Sequence, residues 1–121
     1  MVGRVWVLRL HPAVRDWLHA LRRTDRSSAA QVGRAIQLVM EDGPGVGRPL
    51  VDTIKASRLA NLKELRPGSA GSSEIRILFV FDPARRMLLL VAGDKAGSWR
   101  KWYETAIPLA EQRYEQMTKE G

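Results

Sequence analysis

The stretch from Asn61 to Tyr103, NLKELRPGSAGSSEIRILFVFDPARRMLLLVAGDKAGSWRKWY, places cations at defined points along three expected strands and at an aromatic helix start. Arg66, Arg76 and Lys95 fall on or beside the strands, and Arg100 and Lys101 open the helix. Guanidinium and ammonium groups of this density suit the binding of phosphate oxygens. The chain has no Cys and only two His. Together these features point to phosphate chemistry that uses no metal ion.

Arg76 is the sharpest single residue. In a strand over Glu74–Phe81 the side chains alternate, so Ile75, Ile77, Phe79 and Phe81 share one face and Arg76, Leu78 and Val80 the other. A lone guanidinium on an apolar face must border a cleft or pair with an acid. The competing explanation is a cross-strand ion pair with Glu64 or Glu74. In the preceding strand Glu64 and Arg66 share a face by the same alternation. The ion-pair reading weakens once Arg66, Lys95, Arg100 and Lys101 are counted, because the acids nearby are too few to neutralise them all.

Lys95 follows Gly93-Asp94 at a strand end, just before the helix start, where free N–H groups and a partial positive charge favour a phosphate. Trp99, Trp102 and Tyr103 offer flat surfaces for base stacking. The tryptophans are more simply core residues, and Tyr103, with its hydroxyl, is the better ligand candidate. Arg85-Arg86 at a hairpin tip reads first as solvated charge, with RNA backbone contact as the alternative. His11 and His19 have no pair-like spacing and read as surface residues. No zinc-protease, phosphate-loop, nucleophile-elbow or deaminase motif occurs.

The elements that must position these residues follow from periodicity. Val5–Leu10 is a short apolar strand. His11-Pro12 breaks it and opens a helix on which Val14, Trp17, Leu18 and Leu21 form one stripe. Ser27 or Ser28 is expected to cap a second helix, with Ser28 and Gln31 at capping-box spacing. Its apolar face is Ala29, Val32, Ile36, Val39 and Met40, and Gly43-Pro44-Gly45 ends it. The two helices form an antiparallel hairpin. The segment GPGVGRPLVD is too rich in Gly and Pro for a regular element, and Ile54–Leu59 is ambiguous, with a short edge strand as one option. Strands follow at Leu62–Arg66, Glu74–Phe81 and Met87–Ala92, the last interior because it is apolar on both faces. PGSAGSS and Asp82-Pro83 are turns. Ser98 is expected to cap a last helix whose Trp99, Trp102, Ala106, Leu109 and Ala110 pack on the sheet. Pro108 should split or kink it.

A chain of 121 residues with 45% hydrophobic residues suits one domain with a real core, residues 1–121. The absence of Cys excludes disulfides and fits a reducing cytoplasm. The N-terminus lacks the apolar core of a signal peptide, and no apolar run approaches the ~20 residues of a membrane helix. The net charge of +7 favours an anionic partner. From Arg48 to Lys101 eleven Lys/Arg face five Asp/Glu, whereas from Glu104 onward acids outnumber bases.

Taken together, two helices followed by LKELR, EIRILFVFDPARR, LLLVAGDK and WYETAIPLAE resemble the RelE/HigB-like toxins of bacterial type II toxin–antitoxin systems, nearest to their phage-derived HigB-like branch. The resemblance is strongest over Asn61–Leu109. It implies an α+β fold: two N-terminal helices on a small, mainly antiparallel sheet of three to five strands, with a C-terminal helix. It also implies a ribosome-dependent mRNA endonuclease without cofactor or metal. The implied partners are the ribosome, mRNA and an antitoxin, helix-turn-helix in type and encoded nearby, in a hetero-oligomer with no membrane association. By that resemblance Arg66, Arg76, Lys95 and Tyr103 match the family's site residues. The companion cation of its first conserved strand falls on Glu64, an acid here.

The expected mechanism is attack of an RNA 2′-hydroxyl on the adjacent phosphate. Arg66 and Arg76 would hold the phosphate, Lys95 would add charge or protonate the leaving oxygen, and Tyr103 would orient base or phosphate. Glu64, or a Lys with a depressed pKa, would be the general base. Lys63, Arg85, Arg86, Arg100 and Lys101 are the expected RNA contacts. The alternatives are a non-catalytic gyrase poison of the related ParE type and a basic nucleic-acid or protein-binding module.

Overall fold

A computed structural model of the protein describes residues 6–68 and 71–119. The order is β1 (Val7–Leu10), α1 (Pro12–Thr24), α2 (Arg26–Asp42), β2 (Val51–Thr53), β3 (Lys63–Leu65), β4 (Ile75–Phe81), β5 (Arg86–Asp94) and α3 (Trp99–Lys119), with one 3₁₀ turn at Gly43–Gly45. The five strands form one sheet ordered β1-β5-β4-β3-β2. β1 runs parallel to β5, and the other three pairings are antiparallel. This is the expected α+β arrangement.

The alternation read along β4 divides the core in two. Ile75, Ile77, Phe79 and Phe81 join Val14, Val32, Ile36 and Val39 beneath the α1–α2 hairpin. Leu78 and Val80 face the other way and pack with Leu88, Leu90, Ala106 and Ala110 of α3. β4 and β5 are buried on both faces because a helical layer covers each, which is why Met87–Ala92 reads as unbroken apolar sequence.

Local chemistry fixes the helix ends. Pro12 opens α1, and His11 caps it by accepting the Ala13 N–H on Nδ1 at 3.1 Å. The cap of α2 is Asp25, not Ser27 or Ser28: its carboxylate accepts from Ser28 N at 3.1 Å and Ser28 Oγ at 2.6 Å. Asp and Ser are comparable caps, and here the chain leaves α1 one residue before Arg26, so Asp25 takes the position. α2 stops at Gly43, whose φ of +74° suits glycine.

Three other expectations are corrected. The Gly/Pro-rich segment does contain regular structure, since Val51–Thr53 pairs with β3 as the edge strand, and Ile54–Leu59 is not a strand. α3 is not split at Pro108 but continues through it as one helix. Proline there forfeits one hydrogen bond, to the carbonyl of Glu104, and its ring lies on the exposed side. Trp99 does not pack into the core but is 57% exposed. The first expected strand is described from Val7, and Val5 lies outside the described residues.

Candidate functional site

Three consequences of strand alternation bring the site together on the α3 face of the sheet. Glu64 lies opposite Leu78, a member of the α3-side core, so it points toward α3. Arg66, two residues on, leaves the same side. Arg76 pairs in register with Gly93 of β5. At Gly93 an added Cβ would stand 2.6 Å from Trp102 Nε1. That missing side chain lets Trp102 seat against β5, and the seat sets where the first turn of α3 carries Tyr103.

The centre of the site is Glu64, only 1% exposed. One carboxylate oxygen accepts the Tyr103 hydroxyl in a short hydrogen bond, and the other accepts Arg66 Nε at 3.0 Å. Arg66 Nη2 reaches Asp52 Oδ2 at 3.1 Å, so one guanidinium bridges two carboxylates that face each other across β2 and β3. Burial, and then the bond to Glu64, push the Tyr103 phenol up to about 12. The same Glu64 bond pushes the Arg66 guanidinium up.

Lys95 is 4% exposed, and its Nζ stands 3.8 Å above the Trp99 ring and 5.3 Å from that of Tyr103. Burial, with the positive charge of Arg76 beside it, holds the Lys95 ammonium below its ordinary range. Arg76 gives Nη1 to the Ile75 carbonyl at 2.8 Å and approaches Glu74 at 3.9 Å. Of the two ion pairs in the competing explanation, the one with Glu74 is therefore present at 3.9 Å, and the one with Glu64 is not, that carboxylate being held by Arg66 and Tyr103. Among the described residues only two buried side-chain nitrogens lack a hydrogen-bond partner, Trp6 Nε1 and Arg76 Nε. An unsatisfied buried guanidinium N–H is costly.

All of these groups but Arg76 edge an open cleft of about 600 Å³ lined by Asp52, Glu64, Arg66, Lys95, Trp99 and Tyr103, together with Arg48 and Lys55. Such a space admits an extended polyanion, with acid, base and cations on one wall.

The five expected site residues, Glu64, Arg66, Arg76, Lys95 and Tyr103, are thus brought together. The outer set is divided. Arg100 and Lys101 are exposed on the first turn of α3, beside the cleft. Lys63 alternates onto the opposite face from Glu64. Arg85 and Arg86 sit beyond the other end of β4, about 17 Å of strand from Arg76. Arg86 is held in the turn by Asp82 at 2.7 Å, and Arg85 covers the Trp6 ring at 4.5 Å. Arg86 is thus taken up by a structural partner where an exposed RNA contact was expected, while Arg85 stays exposed as it covers Trp6. Sequence reasoning missed Asp52, Arg48 and Lys55, which become site residues only through the β2–β3 register.

Comparison with known proteins adds relatives. A family described as "Phage derived protein Gp49-like" matches residues 16–115. The chain is 52% identical over 106 residues to a Mycobacterium tuberculosis protein named "Putative toxin HigB3", with 88% of each covered. It is 51% identical over 98 residues to that organism's "Putative toxin HigB2", covering 81% of this chain and 47% of the relative, so it spans about half of that protein's length. No solved structure gives a significant match.

Proposed function

The chain belongs to the phage-derived Gp49-like family and is a HigB-like toxin by relationship, and on that premise we propose that it is the toxin of a toxin–antitoxin pair and acts by cutting messenger RNA on the ribosome. A cognate antitoxin would silence it. The observation that carries the reading is the cluster of Glu64, Tyr103, Arg66 and Lys95 along an open cleft, with Arg76 close behind Lys95.

The chemistry is transfer of a phosphoryl bond within RNA. The 2′-oxygen forms a bond to phosphorus, the bond from phosphorus to the 5′-oxygen breaks, and the products are a 2′,3′-cyclic phosphate and a free 5′-hydroxyl. Glu64 is the base, acting through Tyr103: the phenol oxygen takes the 2′-hydroxyl proton while its own proton passes to the carboxylate it already touches. The raised phenol pKa keeps Tyr103 protonated and in that role at neutral pH. Lys95, with its depressed pKa, is the acid that protonates the leaving 5′-oxygen. Arg66 stabilises the charge that grows on the non-bridging oxygens, and the positive charge of Arg76, set behind Lys95, adds to the field there. None of these steps calls on a metal.

The test is to induce the protein in a bacterial host and map mRNA 5′ ends with and without translation. Cuts inside translated frames that vanish when translation is blocked are expected. Arg76→Ala should stay folded and lose about 10²–10³ in cutting rate. A folded and fully toxic Arg76→Ala would overturn the site. Growth arrest without cuts would overturn the nuclease reading in favour of gyrase poisoning.

A further inference from the structure

The cleft does not end at Tyr103. A second hollow of about 440 Å³ shares Ala56, Tyr103 and Ile107 with it, so the two form one groove along α3. From Trp99 to Glu111 that groove follows about 18 Å of helix at 1.5 Å per residue, more than a single reacting phosphate occupies.

The far half differs in chemistry from the half that holds Glu64. Its floor is apolar, made by Ile107 and Pro108. Its rims are Arg58 and Glu104. Arg58 is 72% exposed and gives Nε to Glu111 at 3.1 Å, which leaves its outer amino groups free among the described residues. Glu104 is exposed and has no ion-pair partner among them. The wall carrying Arg58 is fixed in place. Glu111, 8% exposed, accepts from Ser57 Oγ at 2.7 Å and from Arg58 N at 2.8 Å. A flat apolar floor between a fixed donor fork and a free acceptor suits a nucleobase, whose face packs on the floor and whose edge forms hydrogen bonds.

Resting on the ribonuclease reading of the adjoining site, we propose that this far half is a base-recognition subsite for a nucleotide flanking the cleaved bond, with Glu104 and Arg58 reading the base edge. A carboxylate only accepts hydrogen bonds, so Glu104 favours a base with an exocyclic amino group, adenine, cytosine or guanine, over uracil, whose single ring N–H is flanked by two carbonyls that repel the carboxylate.

The experiment is cut-site mapping in a translating extract programmed with a reporter mRNA carrying a randomised codon. The wild-type chain should disfavour uridine about tenfold at one position flanking the cut, as expected for one base-edge contact. Glu104→Gln, whose amide can also donate, should erase that preference while total cutting stays within a few-fold, and Glu104→Asp should restore part of it. Glu104 is exposed, so none of these changes threatens folding. Cutting by the wild type with the flanking preference absent, or unchanged in both Glu104→Gln and Glu104→Ala, overturns the subsite and leaves the ribonuclease reading standing. No cutting by the wild type overturns both.

Discussion

At the scale of the residue, the pairing of Glu64 with Tyr103 decides what the site can do. A carboxylate this buried is costly unless its oxygens are satisfied, and here Tyr103 and Arg66 satisfy them. Lysine is not an equivalent of Arg66, because the guanidinium reaches Glu64 and Asp52 from two separate nitrogens, Nε and Nη2, whereas an ammonium must serve both from one. The phenol is the readily measured partner. Its pKa lies near 10 when unfolded and is pushed up to about 12 in the fold, so the folded state favours the neutral form. That contribution to stability is complete below pH 10 and is lost as pH rises from 10 through 12. In Tyr114→Phe, Tyr103 is the only tyrosine left, and ultraviolet titration should place its ionisation near 12. The loss of stability across that window should be smaller in Tyr103→Phe than in wild type. A midpoint near 10 would mean that neither the burial of the phenol nor its bond to Glu64 persists in solution. That Glu64, Arg66, Arg76, Lys95 and Tyr103 lie near one another was legible in the sequence, from strand alternation and residue type. Asp52 was not, since nothing local distinguishes a carboxylate in a Gly/Pro-rich segment until the register sets it opposite Glu64. Arg86 was misread for a related reason: its partner Asp82 lies four residues back across a turn, and a turn carboxylate that also accepts two backbone N–H groups captures the cation.

At the scale of the element, α3 and the segment Ile54–Asn61 form the two walls of the groove, and Glu111 ties them together through Ser57 and Arg58. This tie spans more than fifty residues of sequence and had no local signature. The hydrogen bonds to Glu111, more than its ion pair with Arg58, hold its carboxyl below the ordinary range. Replacing Glu111 by Ala removes the acceptor for a backbone N–H and a hydroxyl, a loss of about 1–3 kcal/mol. The expected outcome is a matching drop in the denaturation midpoint, with amide exchange rising in residues 54–61 and unchanged in β4 and β5. Exchange that rises uniformly would mean that Glu111 stabilises the fold without specifically holding the wall. The long elements were readable because burial imposes a period: 3.6 on the α1–α2 hairpin and 2 on β4. The three-residue strand β2 was not, since two flanking prolines and three glycines outweigh any pattern so short a strand can show, and only pairing with β3 makes it a strand. Trp99 was placed in the core on hydrophobicity alone, yet Trp102 already fills the space against Gly93 and Trp99 is left beside Lys95.

At the scale of the whole molecule, the net charge of +7 acts only where it is free to meet an anion. Arg66 and Arg86 are each bound to carboxylates, and Arg85 lies on Trp6. The cations without an ion pair around the cleft, among the described residues, are Lys55 and, on the first turn of α3, Arg100 and Lys101, while Arg48 approaches Asp52 at 3.9 Å. Arg85 marks the opposite end of the sheet. Each phosphate neutralised by a cation on a single strand contributes about −0.7 to the slope of log affinity against log salt. If RNA lies along α3, Lys55→Glu or Arg100→Glu should weaken binding of a short single-stranded RNA at low salt and make the salt slope shallower by about 0.7 each. Arg85→Glu changes the net charge by the same amount at the far end and should leave the slope unchanged. Equal losses in all three variants would mean that the total charge attracts RNA without a defined path, and the groove along α3 would then have no privileged role in holding the strand.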